Sequence, residues 1–327
     1  MGKKLTIKAI AEMAGVSSAT VSKVLNNTGR YSEETKQNIL DIVKKYDYRP
    51  NAVAKSLRTS KSKTIGVIVP DITNEFFAQI VLAIENHCGE LGYSVFICNS
   101  NENEEKELKY FEELELKGVD GLIYLSASDQ LFQMKTQLPI VCIDRKPKLH
   151  NVAIVTSDNF NGGSIAAREL LQKGCKNLLI ISDYRDVFPT MERLRGFQKV
   201  MEDNQIPFSH VKVEVGIKQA QKAIDFLIKD QGFQYDGIFA TTDWLAFGVK
   251  LALEHHQINV PEKVKIIGYD NISLAEYMSI SSIDQNKVAL GTLAAKKLLN
   301  MIDNGVSVDK ETTIPVKYIE RNSTLNF

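Results

Sequence analysis

From Thr64 onward the chain alternates short apolar runs with longer amphipathic stretches, and this alternation restricts the fold more than any other feature of its 327 residues. Thr64-Ile65-Gly66-Val67-Ile68-Val69 has the length and composition of a strand, and 75–91 follows with helical spacing. Residues 94–98 read as the next strand, 104–117 as a helix, and 121–125 and 140–143 as further strands. A second series runs through strand 178–182, helix 190–204, strand 211–215, helix 218–230, strand 237–240, helix 243–256 and strand 264–267. Strands apolar throughout are buried on both faces, the state of a parallel sheet covered by helices on either side. Two such series predict an α/β body of two doubly wound parallel-sheet lobes with a cleft between them.

In that architecture a ligand binds beyond the carboxyl ends of the strands. Asp71, Asn74, Phe76 and Phe77 follow the first strand, and Asp144 and Arg145 follow the strand ending at Ile143. Arg193 opens a helix after strand 178–182, Asp243 follows strand 237–240, and Asp270 follows Gly268-Tyr269. Aromatic rings cover the C–H faces of a polyol, while Asp and Arg make charge-assisted bonds to its hydroxyls. Singly, each residue also has a structural explanation: Phe77 as core, Asp71 and Asn74 as helix caps, Arg193 as a surface charge. Their shared placement on one rim is what points to a ligand.

The net charge is zero, yet it is unevenly spread. Residues 1–63 hold 13 Lys or Arg against 5 Asp or Glu, whereas 64–327 hold 27 against 35. A basic module on an acidic body fits a polyanionic partner. Within the module, Thr6 can cap a helix with apolar positions Ile7, Ile10, Ala11 and Ala14, and Gly15 permits a tight turn. Ser17 then caps a second helix that buries Val21, Val24 and Leu25, and a third runs from Ser32 to Tyr46 with Glu33 and Glu34 at its positive end. Two short helices across a glycine turn form the helix-turn-helix that places its second helix in the DNA major groove. Ser18, Ala19 and Lys23 are then the candidate base readers, Lys23 as donor to guanine and Ala19 as apolar contact to a thymine methyl. Thr6, Ser17, Thr20, Ser22 and Asn26 suit phosphate contacts, which fix register. A small helical bundle that binds a protein is the competing reading.

Pro50 disfavours helix at Arg49, and Asn51 can cap a short helix carrying Ala54, Lys55, Leu57 and Arg58. So short a segment is not helical alone in water and orders only against a partner. Lys55 and Arg58 suit phosphates, and Leu57 is an apolar wedge for the minor groove; a frayed interdomain linker is the alternative.

The run Thr6-Ile7-Lys8-Ala9-Ile10-Ala11 through Gly15-Val16-Ser17-Ser18-Ala19-Thr20-Val21-Ser22-Lys23-Val24-Leu25-Asn26, with Tyr48-Arg49-Pro50-Asn51 and the Leu57 segment, resembles the lactose/galactose repressor (LacI/GalR) family. The resemblance implies a transcriptional repressor acting as a homodimer, with paired hinge helices entering the minor groove of a near-palindromic operator and Leu57 at the wedge position. It further implies that the body has the periplasmic sugar-binding-protein fold. Asn74-Glu75-Phe76-Phe77, Asp144-Arg145, Arg193, Asp270 and Gln285 match its sugar-holding positions. Thr242 departs from the pattern, standing where many relatives have Asn. The implied organisation is a helix-turn-helix domain at 1–50, a hinge at 51–62, and an effector-binding and dimerisation domain at 63–327. In that fold the chain crosses between lobes three times, giving one lobe at about 63–158 plus 288–322 and the other at about 159–287. A sugar or sugar derivative is the implied effector; family members that answer to nucleobases, nucleosides or a phosphoprotein corepressor are the alternative.

Other classes lack their signatures. No run reaches the roughly 20 apolar residues of a membrane span, and no secretory signal opens the chain, so the expected location is cytoplasmic. Neither GxGxxG, P-loop nor GxSxG occurs, so no enzyme activity and no cofactor are expected. Cys88, Cys98, Cys142 and Cys175 form no CxxC, and the five histidines show no metal-ligand spacing.

Overall fold

The computed structural model describes residues 5–48, 61–125, 136–145, 152–185, 187–305 and 310–325. Asn51, Ala54, Lys55, Leu57 and Arg58 lie outside them. The chain divides into two compact units, Met1–Ser62 and Lys63–Phe327.

The described residues of the first unit form three helices: α1 (Ile7–Ala14), α2 (Ser18–Leu25) and α3 (Glu33–Lys45). Each begins at a hydroxyl cap. Thr6, Ser17 and Ser32 accept from the backbone N–H of Ala9, Thr20 and Thr35 at 3.1–3.2 Å, satisfying amides that the helix leaves unpaired. Gly15 closes α1 at φ 67°, the left-handed region open to glycine. Ile10, Ala11, Val21, Val24 and Ile39 form the core where the three helices meet.

The second unit holds two six-stranded sheets of like order. The first sheet contains β1 (Thr64–Val69), β2 (Ser94–Asn99), β3 (Gly121–Tyr124), β4 (Ile140–Ile143), β5 (Val152–Ser157) and β11 (Glu311–Ile314), ordered β11-β5-β4-β3-β1-β2. The second contains β6 (Leu178–Asp183), β7 (Phe208–Val213), β8 (Gly237–Ala240), β9 (Lys265–Asp270), β10 (Ser281–Asp284) and β12 (Lys317–Ile319), ordered β12-β10-β9-β8-β6-β7. All pairings are parallel except β10 with β12. Helices α4 (Glu75–Glu90), α5 (Glu104–Leu116) and α11 (Lys287–Asn304) cover the first sheet. The second is covered by α6 (Asn159–Gln172), α7 (Phe188–Asp203), α8 (Ile217–Gln231) and α9 (Asp243–His255), with the short α10 (Ser273–Tyr277) beside α9. Among the described residues no helix is long and apolar enough to cross a membrane.

Two expectations need correction. The final crossing comes earlier than residue 322: Lys317, Tyr318 and Ile319 pair with Asp284, Ile283 and Ser282 in the second sheet. Only Pro315 and Val316 separate β11 from β12, so the last lobe-1 segment ends near Ile314. The strand expected at 211–215 is β7, Phe208–Val213. It is an edge strand with polar residues interleaved, so its start carries no apolar run.

Candidate nucleic-acid interface and ligand cleft

In the first unit α2 presents Ser18, Ala19 and Lys23 to solvent, with Ser17 and Asn26 exposed at its two ends and Thr20 half-buried. Thr6 is exposed at the start of α1. Lys23 lies opposite Val21, Val24 and Leu25 on the helical wheel, and its methylenes run past Gly29. Ser22, expected beside the phosphates, instead faces inward at 9% exposure. It lies one turn before Leu25, within the buried arc, and Asn26 Nδ2 donates to its carbonyl at 2.8 Å and its hydroxyl at 3.3 Å.

In the second unit a cavity opens between the carboxyl ends of the two sheets. Asp71, Asn74, Phe76, Phe77, Asp144, Arg145, Arg193, Thr242 and Asp270 all line it. Some do so while performing structural tasks. Asn74 caps α4 by accepting from Phe76 N–H at 3.0 Å, and Phe76, 8% exposed, meets Phe77 edge-to-face at 5.2 Å. Thr242 caps α9 by accepting from Leu245 N–H at 3.3 Å.

Asp243 and Gln285 lie behind the wall. Asp243 is fully buried, accepting from Ser282 Oγ at 2.7 Å and Ile272 N–H at 2.9 Å, so both oxygens are committed, one to β10 and one to the loop after β9. This corrects its expected place on the rim: position N1 of α9 points back into the sheet, toward Gly268, where an added Cβ would stand 2.3 Å from Asp243 Oδ1. Gln285, fully buried, donates to Asp270 Oδ1 at 2.6 Å.

One hydrogen-bonded chain joins the lobes beneath the cavity. Asp144 Oδ1 accepts from Thr156 Oγ1, Ser157 N–H and Asn159 Nδ2 at 2.8, 2.9 and 3.2 Å. Asn159 Oδ1 in turn accepts from Arg193 Nε at 2.9 Å. Arg193, 5% exposed, donates to Thr241 O at 2.6 Å, pairs with Asp270 at 3.5 Å, and stacks 3.7 Å over the Tyr269 ring. Lys287 Nζ donates to the Asp270 and Asn271 carbonyls at 2.6 and 2.9 Å. Asp270 itself has φ 106°, a conformation that side chains rarely adopt and that these bonds hold in place. Burial pushes its carboxyl up to about 6 despite the opposing pull of Arg193 and Lys287, and raises Asp243 further, with Asp270 adding repulsion.

The cavity also takes in residues that the sequence reading missed: Glu102, Asp183, Arg185, Thr190 and Trp244. Asp183 ends β6, the same signal that picked out Asp144, and Trp244 is the chain's single tryptophan, directly after Asp243. Arg185 Nε donates to Asp183 Oδ1 at 2.9 Å, and Arg185 Nη1 pairs across the cleft with Glu102. Burial opposes the charge on Asp183, but Arg185 holds its carboxyl below the usual range. A second interlobe tie joins Glu75, at the start of α4, to the N–H and hydroxyl of Ser273 at 3.0 and 2.7 Å.

A helix-turn-helix unit followed in one chain by a two-lobed body with a polar, aromatic cleft defines a DNA-binding regulator that carries its own sensor. Residues 62–322 match the family of periplasmic binding proteins and the sugar binding domain of the LacI family, and residues 6–51 match the bacterial regulatory proteins of the lacI family. Over 323 residues the chain is 34% identical to the ribose operon repressor of Halalkalibacterium halodurans, a match covering 98% of this chain and 97% of that protein. It is 33% identical over 308 residues to the HTH-type transcriptional repressor PurR of Histophilus somni, covering 91% and 92%. A LacI family regulator from Enterococcus faecium with bound ribose superposes with a TM-score of 0.73 at 30% identity, covering 80% of this chain and 98% of that one. The lac repressor dimer bound to operator has a TM-score of 0.88 at 23% identity, covering 99% and 100%, a likeness of fold. The chain belongs to the LacI family of bacterial regulatory proteins. It is a DNA-binding transcriptional repressor and not an enzyme.

Proposed function

We propose that this repressor binds a near-palindromic operator as a homodimer and is controlled by a neutral sugar, first of all a pentose, held in the interlobe cleft. The observation that carries the reading is the convergence of Phe77 and Trp244 with Asp270, Arg193, Asp144 and Arg145 on one cavity. Aromatic faces beside charge-assisted donors and acceptors suit a ring of hydroxyls. Five carboxylates and three guanidinium groups line the cleft (Asp71, Glu102, Asp144, Asp183, Asp270; Arg145, Arg185, Arg193), an acidic surplus that disfavours a sugar phosphate. The ribose operon repressor at 34% identity and the ribose-bound regulator at 30% support the pentose. Thr242 limits any closer analogy, since its hydroxyl accepts from the α9 backbone and it has no amide to offer.

A purine base or nucleoside is the second reading. The flat Trp244 and Phe77 rings accommodate one, and PurR is among the relatives. A thermal-shift series separates the classes, because a cleft ligand stabilises the native state by about 2.7 kcal/mol at one hundred times its Kd, or roughly 5 °C for a unit of this size. A shift with ribose and none with ribose 5-phosphate or a purine supports the pentose; a shift with the purine alone overturns it.

On the DNA side, Ser18, Ala19 and Lys23 read base edges while Thr6, Ser17, Thr20 and Asn26 hold phosphates. Asn51, Ala54, Lys55, Leu57 and Arg58 supply the minor-groove hinge, with Leu57 as wedge. The second copy of the chain docks on the open edge of the first sheet. There β2 has no neighbouring strand on its outer side among the described residues and shows Phe96 and Ile97 at 44% and 48% exposure. An unpaired strand edge with apolar side chains favours pairing with another chain. Phe96→Lys therefore yields monomers in sedimentation and weakens operator binding; an unchanged dimer places the interface elsewhere. Closure of the lobes then reaches the operator through the dimer, with a coupling of ~1–3 kcal/mol, about 5–150-fold in affinity. Two of the interlobe ties, Arg185 with Glu102 and Glu75 with Ser273, break if the lobes part.

A further inference from the structure

Away from the cleft, α8 and α9 pack side by side through Ala220, Ile224 and Leu227 on one helix and Val249, Ala252 and Leu253 on the other. Their approach is close because position 248 is glycine: a Cβ there would stand 2.3 Å from Ile217 O. The seam ends in a polar cluster. Asp225 follows Ile224, and His256, the C-cap residue of α9, falls one turn beyond Ala252. His256 Nε2 lies 2.9 Å from Asp225 Oδ1, and His255 Nδ1 lies 4.0 Å from the same oxygen. The two imidazoles stand 5.0 Å apart, inclined at 73°, and the three ligand atoms fit within 4.8 Å of one another.

We propose that Asp225, His255 and His256 form a binding site for a borderline divalent cation of the Zn²⁺ or Co²⁺ type, linking α8 to α9. Two imidazole nitrogens and one carboxylate oxygen are a ligand set of open zinc sites, with water in the fourth position. Around a tetrahedral ion with bonds of 2.0–2.2 Å, ligand atoms stand about 3.3 Å apart. The His256–Asp225 pair is already closer than that, and His255 must close about 0.7 Å toward Asp225 and at most about 1.5 Å toward His256; its side chain, 68% exposed, has room to do so. The site closes the carboxyl end of α9, where the helix dipole favours positive charge. A hydrogen bond between His256 and Asp225 would by itself tie the two helices. His255 stands at 4.0 Å from the same carboxylate oxygen, an ion pair only when the imidazole is protonated, whereas a bound metal takes the neutral ring as its third ligand.

The test uses untagged full-length protein titrated with Zn²⁺ against a chelating indicator, and with Co²⁺ monitored by absorbance. One equivalent per chain is expected, with d–d bands of a nitrogen–oxygen site and an upward shift in Tm. Changes outside the ligand shell commonly weaken metal sites about 10–100-fold, so loss of a direct ligand costs no less. His255→Ala should weaken Zn²⁺ binding at least tenfold while leaving the metal-free Tm unchanged, and Asp225→Asn should weaken it similarly. Absence of saturable binding overturns the proposal. So does a thiolate-to-cobalt charge-transfer band, which would move the metal to a cysteine, and so does undiminished affinity in His255→Ala. None of these outcomes bears on the sugar cleft.

Discussion

Asp270→Asn is expected to abolish the response of operator binding to the effector while leaving operator affinity in its absence within about twofold. The reason lies in what Asp270 does. Its Oδ1 accepts from Gln285 Nε2 at 2.6 Å and faces Arg193 at 3.5 Å, so the carboxylate sets the direction of both donors at the cleft floor. Asparagine has nearly the same volume, keeps one carbonyl oxygen and loses the charge. Hydrogen bonds to charged groups contribute about 1.5–3 kcal/mol, so losing those from Asp270 to a sugar weakens effector binding by roughly 10–150-fold. A further loss comes from Arg193, left buried with Asn159 and Thr241 as its hydrogen-bond acceptors. Calorimetric titration of the effector and operator binding with and without it measure the two sides. An intact response would mean that the effector sits elsewhere.

The same substitution changes how stability depends on pH. Burial raises the Asp270 carboxyl to about 6 and holds Asp243 higher still. A carboxyl whose pKa is raised by folding binds more protons in the native than in the unfolded state, so stability falls as pH rises through that window. For Asp270 the window runs from the free value of 3.8 to about 6. Asp270→Asn should flatten the loss between those limits and relieve the repulsion on Asp243. Urea midpoints across pH 4 to 7 report it, and an unchanged slope would show that Asp270 is not a raised group.

Much of this architecture was legible in the sequence because it rests on local pattern. The hydroxyl caps Thr6, Ser17 and Ser32, the turn at Gly15 and the apolar strands β1, β4, β6 and β8 are each written within a few residues. What stayed hidden depends on partners far along the chain. Strands β10 and β12 are recognisable only by their pairing, and β12 joins the second sheet because β10 offers it an edge. Asp243 carries the same mark as Asp270, an acid just past a strand. Whether such an acid lines the cleft or braces it is decided by Ser282 and Ile272, which no local reading connects to it. Arg185 is likewise defined by Glu102, 83 residues away and on the other lobe. Ser22 was misplaced for a narrower reason, since a polar residue within a buried helical arc looks exposed until the arc is seen closed.

Operator affinity is expected to collapse with salt, and effector affinity to be nearly indifferent to it. Residues 1–63 carry 13 basic against 5 acidic side chains, and the acidic surplus lies wholly in the rest of the chain. A module of this kind binds DNA largely by displacing condensed counterions, with a slope of about −0.9 in log K per phosphate neutralised. For a dimer making 6–10 such contacts, affinity should fall by about 10³–10⁵ between 50 and 200 mM salt. The cleft behaves differently. Arg193 and Asp270 are 5% and 4% exposed, and charges shielded from solvent are screened far less than those on a surface. Lys23→Ala separates the two parts of the DNA term. If Lys23 reads a base, its loss costs about 1–3 kcal/mol on the operator, little on random DNA, and leaves the salt slope almost unchanged. If it holds a phosphate, the slope falls by about 1 and both DNAs lose alike. A flat salt response on a selected operator would remove the electrostatic basis assigned to the whole module.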